Sequence, residues 1–192
     1  MAFGYPVVLD LTGVPVLVVG GGTIAARKTQ ALLEAGAVVT VVAPEVLDEL
    51  AAQVADVRRR PYARTDLHGH QLVMATTDQP AVNARVAADA RAGGLWVNSA
   101  DDPDHCSFIL PAIARRGALV VAVGTGGASP ALARHLRDRI AAEVLTPEVE
   151  AAAADLARQR ADIRAAGGSI EAVDWGPRVQ AALDGAADRD DC

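Results

Sequence analysis

Residues 14–44, which read VPVLVVGGGTIAARKTQALLEAGAVVTVVAP, decide the fold of this chain. An apolar run over 14–19 leads into three glycines. A segment over 23–33 then carries apolar residues at roughly helical spacing, and a second apolar run covers 38–43. The order predicts a strand, a tight turn, a helix and a second strand, which is the opening unit of a parallel sheet.

The turn has the G-x-G-x-x-A spacing of a dinucleotide-binding turn, from Gly20 to Ala25. Gly20 permits a sharp exit from the strand, Gly22 lets the backbone approach a pyrophosphate, and Ala25 lets the helix pack close to the sheet. The start of the helix would point its free N–H groups at that phosphate. A glycine turn alone also occurs without a nucleotide, but the elements on both sides of this one favour nucleotide binding.

The predicted cofactor site combines this turn with residues that follow the second and fourth strands, because open α/β sheets bind ligands at the carboxyl ends of their strands. Its members are Gly20, Gly21, Gly22, Thr23, Ile24, Ala43, Pro44, Glu45, Thr76 and Thr77. Glu45 lies close to where dinucleotide folds place an acid on the adenosine ribose, and its charge should repel a 2′-phosphate. The sequence therefore favours NAD over NADP.

Strands and helices continue to alternate as far as residue 98, which predicts a Rossmann-type, doubly wound parallel sheet of the α/β class. The predicted strands cover 57–62, 70–76 and 95–98, with a further short strand at 7–11, and the predicted helices cover 45–53 and 80–92. Asp78 is the candidate N-cap of the second of these helices. The arginines at 58–60 suggest that their strand lies at an edge.

The pattern changes near Cys106. Two apolar runs, 107–114 and 118–123, are separated by only three residues and predict a hairpin, and a helix over 131–145 follows with Ser129 as its N-cap. Residues 146–166 and 177–183 also read as helices. We expect an NAD-binding domain over 1–106, a hairpin-and-helix region for dimerisation and substrate over 107–145, and an acidic helical region over 146–192.

Composition narrows the function. The net charge of −6 lies mostly in the last region, and no basic face dominates, which argues against nucleic-acid binding. No apolar run reaches the ~20 residues that a membrane helix needs, and the N-terminus has no basic leader, so we expect a cytoplasmic protein without a membrane partner. The cysteines, Cys106 and Cys192, have no partner motif and predict neither a disulfide framework nor a metal site.

Two loops could carry chemistry. The loop that follows the fifth strand holds Asp101, Asp102 and Asp104, which fit either a solvated turn or a general base in a cleft. The stretch GTGGASP, residues 124–130, fits either a cradle for carboxylates or a flexible exit from the hairpin. Lys28 is the only lysine beside 17 arginines. It could face an anion or lie on a solvated helix face.

Four ordered motifs resemble the precorrin-2 dehydrogenase and sirohydrochlorin ferrochelatase family, which forms the N-terminal half of siroheme synthases. They are GGGxxAxRK at 20–28, the Asn-x-x-Asp-x-Pro stretch at 98–103, FILP at 108–111 and GTGGASPALARHLRDRI at 124–140. The resemblance covers about residues 5–145. Together the four motifs are far more specific than the glycine turn alone.

The resemblance implies an NAD-dependent homodimer that converts precorrin-2 to sirohydrochlorin. In some members the same site inserts ferrous iron, as a substrate and not as a bound cofactor. The aspartate of the family motif falls on Asp101, the expected catalytic base. The tetrapyrrole is expected to contact Asn98, His105, Gly124, Thr125, Gly126, Gly127, Ser129 and Arg134. Thr125 stands where serines are frequent, which puts a regulatory phosphorylation in doubt.

Two rival functions remain. A non-catalytic NAD sensor or interaction module would explain the glycine turn equally well, but it would leave the second glycine turn and the aspartate loop unexplained. A short-chain dehydrogenase would need a Tyr-x-x-x-Lys pair, which a chain with its single lysine at position 28 does not contain.

Overall fold

The computed structural model describes residues 4–100 and 102–187, and the chain divides into two compact units, Met1–Ile109 and Leu110–Cys192. The first unit is a five-stranded parallel sheet in the order β3-β2-β1-β4-β5. Its strands are β1 Pro15–Val19, β2 Val38–Val42, β3 Asp56–Arg58, β4 Leu72–Ala75 and β5 Trp96–Ser99, and its helices are α1 Thr23–Glu34, α2 Asp48–Ala51 and α3 Pro80–Ala92. The predicted α/β class and the edge position of the arginine-bearing strand are confirmed.

Apolar residues cover both faces of the sheet. Along β1, Val16 and Val18 pack in one buried cluster with Ala25 of α1, whereas Leu17 packs in a second cluster with Val86 of α3. A strand that is buried on both faces reads as a continuous apolar run, which is how 14–19 and 38–43 read in the sequence.

The register of the sheet aligns the carboxyl ends of the strands. Val19 of β1 lies beside Val42 of β2 and Ala75 of β4, and Ala75 in turn lies beside Ser99 of β5. The segments that leave these four strands therefore meet at one edge of the sheet, and the predicted cofactor residues are concentrated there.

Two sequence predictions in this unit are wrong. Residues 7–11 form no strand; Val8 is 92% exposed. Asp78 is not the cap of α3, because the N-cap is Gln79 and no side chain caps this helix. Instead the Asn83 side chain binds the loop, where its amide donates to the Thr77 carbonyl at 2.9 Å.

The second unit pairs a hairpin with three helices. Strands β6 Ala112–Arg116 and β7 Leu119–Val123 are antiparallel, and helices α4 Pro130–Glu143, α5 Pro147–Ala165 and α6 Trp175–Ala187 follow. Ser129 caps α4 as predicted, since its hydroxyl accepts a bond from the Leu132 N–H at 3.2 Å. The last helix is longer than the predicted 177–183. None of the described helices has the length and hydropathy to cross a membrane.

Candidate functional site

A cavity of about 960 Å³ opens at the carboxyl edge of the sheet in the first unit. All ten residues of the predicted cofactor site line it, from the β1–α1 turn (20–24), the segment after β2 (43–45) and the segment after β4 (76–77). Its volume lies at the upper end of the range for small-molecule and cofactor sites.

The three glycines of the turn have different surroundings. Gly20 has φ +126°, and a Cβ there would lie 2.7 Å from the Thr76 carbonyl oxygen. A Cβ on Gly21 would lie 2.1 Å from the Glu45 carbonyl oxygen, whereas one on Gly22 would meet no atom within 4 Å. The first two glycines thus let neighbouring segments pack against the turn. The open space above Gly22 is where a pyrophosphate would approach the backbone, so the turn fits a dinucleotide.

The backbone after β4 is held by side chains. The Thr76 hydroxyl donates to the Val19 carbonyl at 3.0 Å, and the Thr77 hydroxyl donates to Asn83 Oδ1 at 2.7 Å. The Asn83 Oδ1 also accepts the Thr77 N–H at 3.0 Å. These bonds tie β4 to β1 and to α3, so this wall of the cavity is preorganised.

Sequence reasoning missed one wall of the cavity. Pro61 and Tyr62 enter it from the segment after β3, and Val82 and Arg85 enter it from α3. The Arg85 guanidinium lies 5.8 Å from the centre of the Tyr62 ring, and burial raises the pKa of that phenol. The strand-end rule that found the other walls also applies to β3 and could have found Pro61 and Tyr62. No sequence signal marks Arg85.

A smaller cavity of about 310 Å³ shares Ile24, Thr77 and Asp78 with the first and is also lined by Asp102. It therefore adjoins the first cavity on the side of β5. The Asp102 carboxylate lies 2.6 Å from Nδ1 of His105, within a short 3₁₀ turn over Pro103–His105. Asp102 thus lines the cavity and pairs with His105, while 34% of its side chain stays exposed.

The predicted catalytic residue, Asp101, lies outside the described residues. Ala100, the residue before it, donates its N–H to the Ala75 carbonyl at 2.8 Å and lines the smaller cavity. Asp104, the third aspartate of the loop, is exposed.

Asn98, a predicted substrate contact, is buried with 5% of its surface exposed. Its Oδ1 accepts a bond from Lys28 Nζ at 2.5 Å, and its Nδ2 donates to the Phe108 carbonyl at 3.0 Å. Its amide is therefore engaged within the protein, while His105, the other predicted substrate contact of this unit, is about half exposed.

The remaining predicted substrate residues lie together in the second unit, between β7 and the first turns of α4. They are Gly124, Thr125, Gly126, Gly127, Ser129 and Arg134. The Thr125 hydroxyl accepts a bond from the Ser129 N–H at 3.1 Å, and Gly126 and Gly127 both have positive φ. Arg134 is exposed. Over the described residues, no group of three or more His, Cys, Asp or Glu side chains could hold a metal ion.

Comparisons with known proteins agree with this arrangement. A family profile described as "Putative NAD(P)-binding" matches residues 7–112, and one described as "Sirohaem biosynthesis protein central" matches residues 116–143. A solved structure of SirC, a precorrin-2 dehydrogenase, superposes with a TM-score of 0.74 at 28% identity and covers 96% of this chain and 100% of that one.

Among curated proteins, the siroheme synthase of Methylococcus capsulatus is 48% identical over 83% of this chain and 33% of its own length. The siroheme synthase of Azotobacter vinelandii is 47% identical over 83% of this chain and 35% of its own. That of Stutzerimonas stutzeri is 43% identical over 94% of this chain and 41% of its own. The chain thus spans about a third to two fifths of the length of these relatives.

Proposed function

We propose that this chain, which belongs to the family described as "Putative NAD(P)-binding", oxidises precorrin-2 to sirohydrochlorin with NAD as the hydride acceptor. The observation that carries the proposal is the pair of adjoining cavities at one sheet edge. One is built around a dinucleotide turn, and the other is lined by aspartates. The similarity to SirC, whose name states this activity, supports the choice of substrate.

The larger cavity would hold the cofactor. The backbone N–H groups at the start of α1 would bind the pyrophosphate above Gly22, and the wall formed by Pro61, Tyr62 and Val82 would accept the adenosine end. Bound NAD supplies the electrophilic carbon that receives the hydride. Glu45, which follows the carboxyl end of β2, would bind ribose hydroxyls and repel a 2′-phosphate.

The protein's own chemical task is to accept a proton. Loss of two hydrogens from the tetrapyrrole sends one hydride, with its electron pair, to NAD and leaves one proton for a base. Asp101 is the proposed base, because the motif of the family has its aspartate at this position and the residues on either side, Ala100 and Asp102, line the smaller cavity. A carboxylate close to a polycarboxylate substrate would have a raised pKa, which improves it as a base near neutral pH.

The second unit offers donors that suit the carboxylates of a tetrapyrrole. Arg134 is exposed on the first turns of α4, and the glycine-rich segment 124–127, which precedes this helix, offers backbone N–H groups. Carboxylates bind best to such charged or backbone N–H donors.

Iron insertion into sirohydrochlorin is a second candidate activity, and one observation favours it. Insertion of Fe²⁺ releases two pyrrole protons. The Asp102–His105 pair offers a proton acceptor, since Asp102 lines the smaller cavity and both side chains are partly exposed. Ferrous iron would enter as a substrate.

The proposal is tested by incubating the protein with precorrin-2 and NAD, and recording the optical spectrum with and without ferrous iron. We expect sirohydrochlorin without iron, and siroheme with iron if the second activity is present. A non-catalytic NAD sensor would bind NAD and leave precorrin-2 unchanged, which would refute the dehydrogenase.

A further inference from the structure

A partly buried polar network joins helix α1 to the loop that follows β5. Lys28 Nζ donates to Asn98 Oδ1 at 2.5 Å, so the Asn98 amide is oriented with Nδ2 towards the loop. That Nδ2 donates to the Phe108 carbonyl at 3.0 Å and faces Cys106 Sγ at 3.6 Å. One side chain from α1 thereby sets the orientation of the amide that holds the far end of the loop.

Cys106 continues the network into the loop. Its Sγ accepts the Ser99 N–H at 3.1 Å and lies 3.2 Å from the Asp102 carbonyl oxygen, and the residue is only 3% exposed. Burial raises the pKa of this thiol, so it takes part as a neutral donor and acceptor. The backbone on both sides of position 101 is thus bonded to one buried sulfur.

The outer side of the loop is held separately. The Arg91 guanidinium of α3 donates to the Asp104 carbonyl at 2.8 Å and to the Cys106 carbonyl at 3.1 Å. The Ser107 N–H donates to the Val97 carbonyl at 2.7 Å. These bonds fix the loop from α3 and β5, whereas the Lys28–Asn98 bond links its far end to α1.

We infer that Lys28 and Asn98 form a positioning pair, which holds residues 102–106 of the acidic loop in place for the proton transfer and touches neither cofactor nor substrate. The Lys28 ammonium group donates to the side-chain oxygen of the buried Asn98 amide. Only the expected change in kcat rests on the proposed function; the expected change in the reactivity of Cys106 does not.

The test compares Lys28→Met with Lys28→Arg, in a Cys192→Ala background so that Cys106 is the only thiol. Arg27→Met is the matched control, because it removes a neighbouring charge from an exposed position of the same helix. Ser99→Ala is a second control, since the network uses only the backbone of Ser99 and its buried hydroxyl has no partner among the described residues. Circular dichroism checks that each variant is folded.

For Lys28→Met we expect the kcat for precorrin-2 to fall by about ten- to a hundred-fold, the cost of a small misplacement of a reacting group. The dissociation constant for NAD should stay within about twofold, and Cys106 should react with an aromatic disulfide reagent on the order of tenfold faster as the loop opens. Lys28→Arg should restore most of both properties, because its guanidinium can also donate to Asn98. Both controls should behave as the parent.

Two results would overturn the inference. A Lys28→Met variant that binds NAD several-fold more weakly while Cys106 stays protected would make Lys28 a cofactor ligand. A variant unchanged in both rate and thiol reactivity would show that the pair positions nothing. If the parent itself oxidises no precorrin-2, the proposed function fails, whereas the thiol measurement still decides whether the pair holds the loop.

Discussion

Gly21 and Gly22, which are neighbours in the glycine turn, have different functions. An alanine at Gly21 would place its Cβ 2.1 Å from the Glu45 carbonyl oxygen, so the segment after β2 must move. Overpacking of this kind costs about 1–3 kcal/mol. We expect Gly21→Ala to lower the free energy of unfolding by that amount in a denaturant titration.

Gly22→Ala should behave differently, because its Cβ meets no protein atom within 4 Å. We expect an unfolding free energy within about 0.5 kcal/mol of the parent, as for substitutions away from packed features. The added methyl would occupy the space of the pyrophosphate, so NAD should bind at least about tenfold more weakly by calorimetry, a loss of about 1.4 kcal/mol. Parent-like NAD affinity would show that the cofactor does not approach this glycine.

Glu45 sets the expected choice of cofactor. It lines the larger cavity directly after β2, and its carboxylate would repel the phosphate that distinguishes NADP from NAD. We expect calorimetry to show tighter binding of NAD than of NADP, and Glu45→Gln to narrow the difference. Equal or tighter binding of NADP by the parent would contradict this assignment.

Asp101 carries the proposed proton transfer. Asp101→Asn should keep the fold and the NAD affinity, and lower the rate of precorrin-2 oxidation by about a hundred- to ten-thousand-fold, the typical loss on removing a general base. Asp104→Asn is the control, because that side chain is exposed and should leave the rate nearly unchanged. If the Asp101→Asn variant oxidises precorrin-2 as fast as the parent, Asp101 is not the base, and the Asp102–His105 pair becomes the next candidate.

At the scale of elements, the edge strand β3 is stabilised by a buried carboxylate. Asp66 is 1% exposed, and its carboxylate binds the guanidinium groups of Arg60 and Arg58 and the Ala63 N–H. The hydrogen bond from Arg60 is the main cause that lowers the pKa of Asp66 to about 2. The bonds from Ala63 and Arg58 lower this pKa further, whereas burial of the carboxylate raises it. Two of the three arginines that marked this strand as an edge thus bind a buried acid, which the order of residues in the sequence does not reveal.

This depressed pKa predicts a pH dependence of stability. Because the folded pKa lies below the unfolded one, the carboxylate stabilises the protein fully above about pH 4, and its contribution of about 2 kcal/mol is lost as the pH falls towards 2. Asp66→Asn should lose this amount at pH 7, and its unfolding free energy should fall less steeply between pH 4 and 2. Asp48→Asn, whose side chain is fully exposed, is the control. Equal stability of the two variants at pH 7 would contradict the account.

Sequence periodicity was informative for the elements whose surroundings are local. The strands of the buried sheet and helix α3 follow from apolar runs and from Pro80 and Gly93, and the cavity at the strand ends follows from their parallel order. The expected strand at 7–11 was wrong. A short apolar run forms a strand only if another strand pairs with it, and no described strand pairs with residues 7–11. Neither the position of Arg85 in the cavity wall nor the Lys28–Asn98 bond could be predicted, because both depend on contacts between elements that are distant in the sequence.

At the scale of the whole molecule, the second unit is the expected interface. The hairpin β6–β7 leaves Ile113 37% and Val120 42% exposed, and it forms a two-stranded sheet of its own. A short sheet with apolar residues and open edges is marginal by itself and tends to pair. We therefore expect a two-fold homodimer built around this hairpin.

Sedimentation at micromolar concentration tests the assembly. The parent should sediment as a dimer, and Val120→Asp should shift it towards the monomer while the circular dichroism spectrum is kept. Arg115→Asp, which changes charge on the paired strand without removing apolar surface, controls for the charge. A parent that is monomeric under these conditions would refute the dimer.

The most direct measurement is the stoichiometry of precorrin-2 oxidation by the purified chain under anaerobic conditions. With NAD present, the account predicts that one NADH forms for each sirohydrochlorin, and that neither product forms when NAD is omitted. Binding of NAD without any NADH or sirohydrochlorin, or sirohydrochlorin formed at the same rate without NAD, would contradict the assignment of this chain as an NAD-dependent precorrin-2 dehydrogenase.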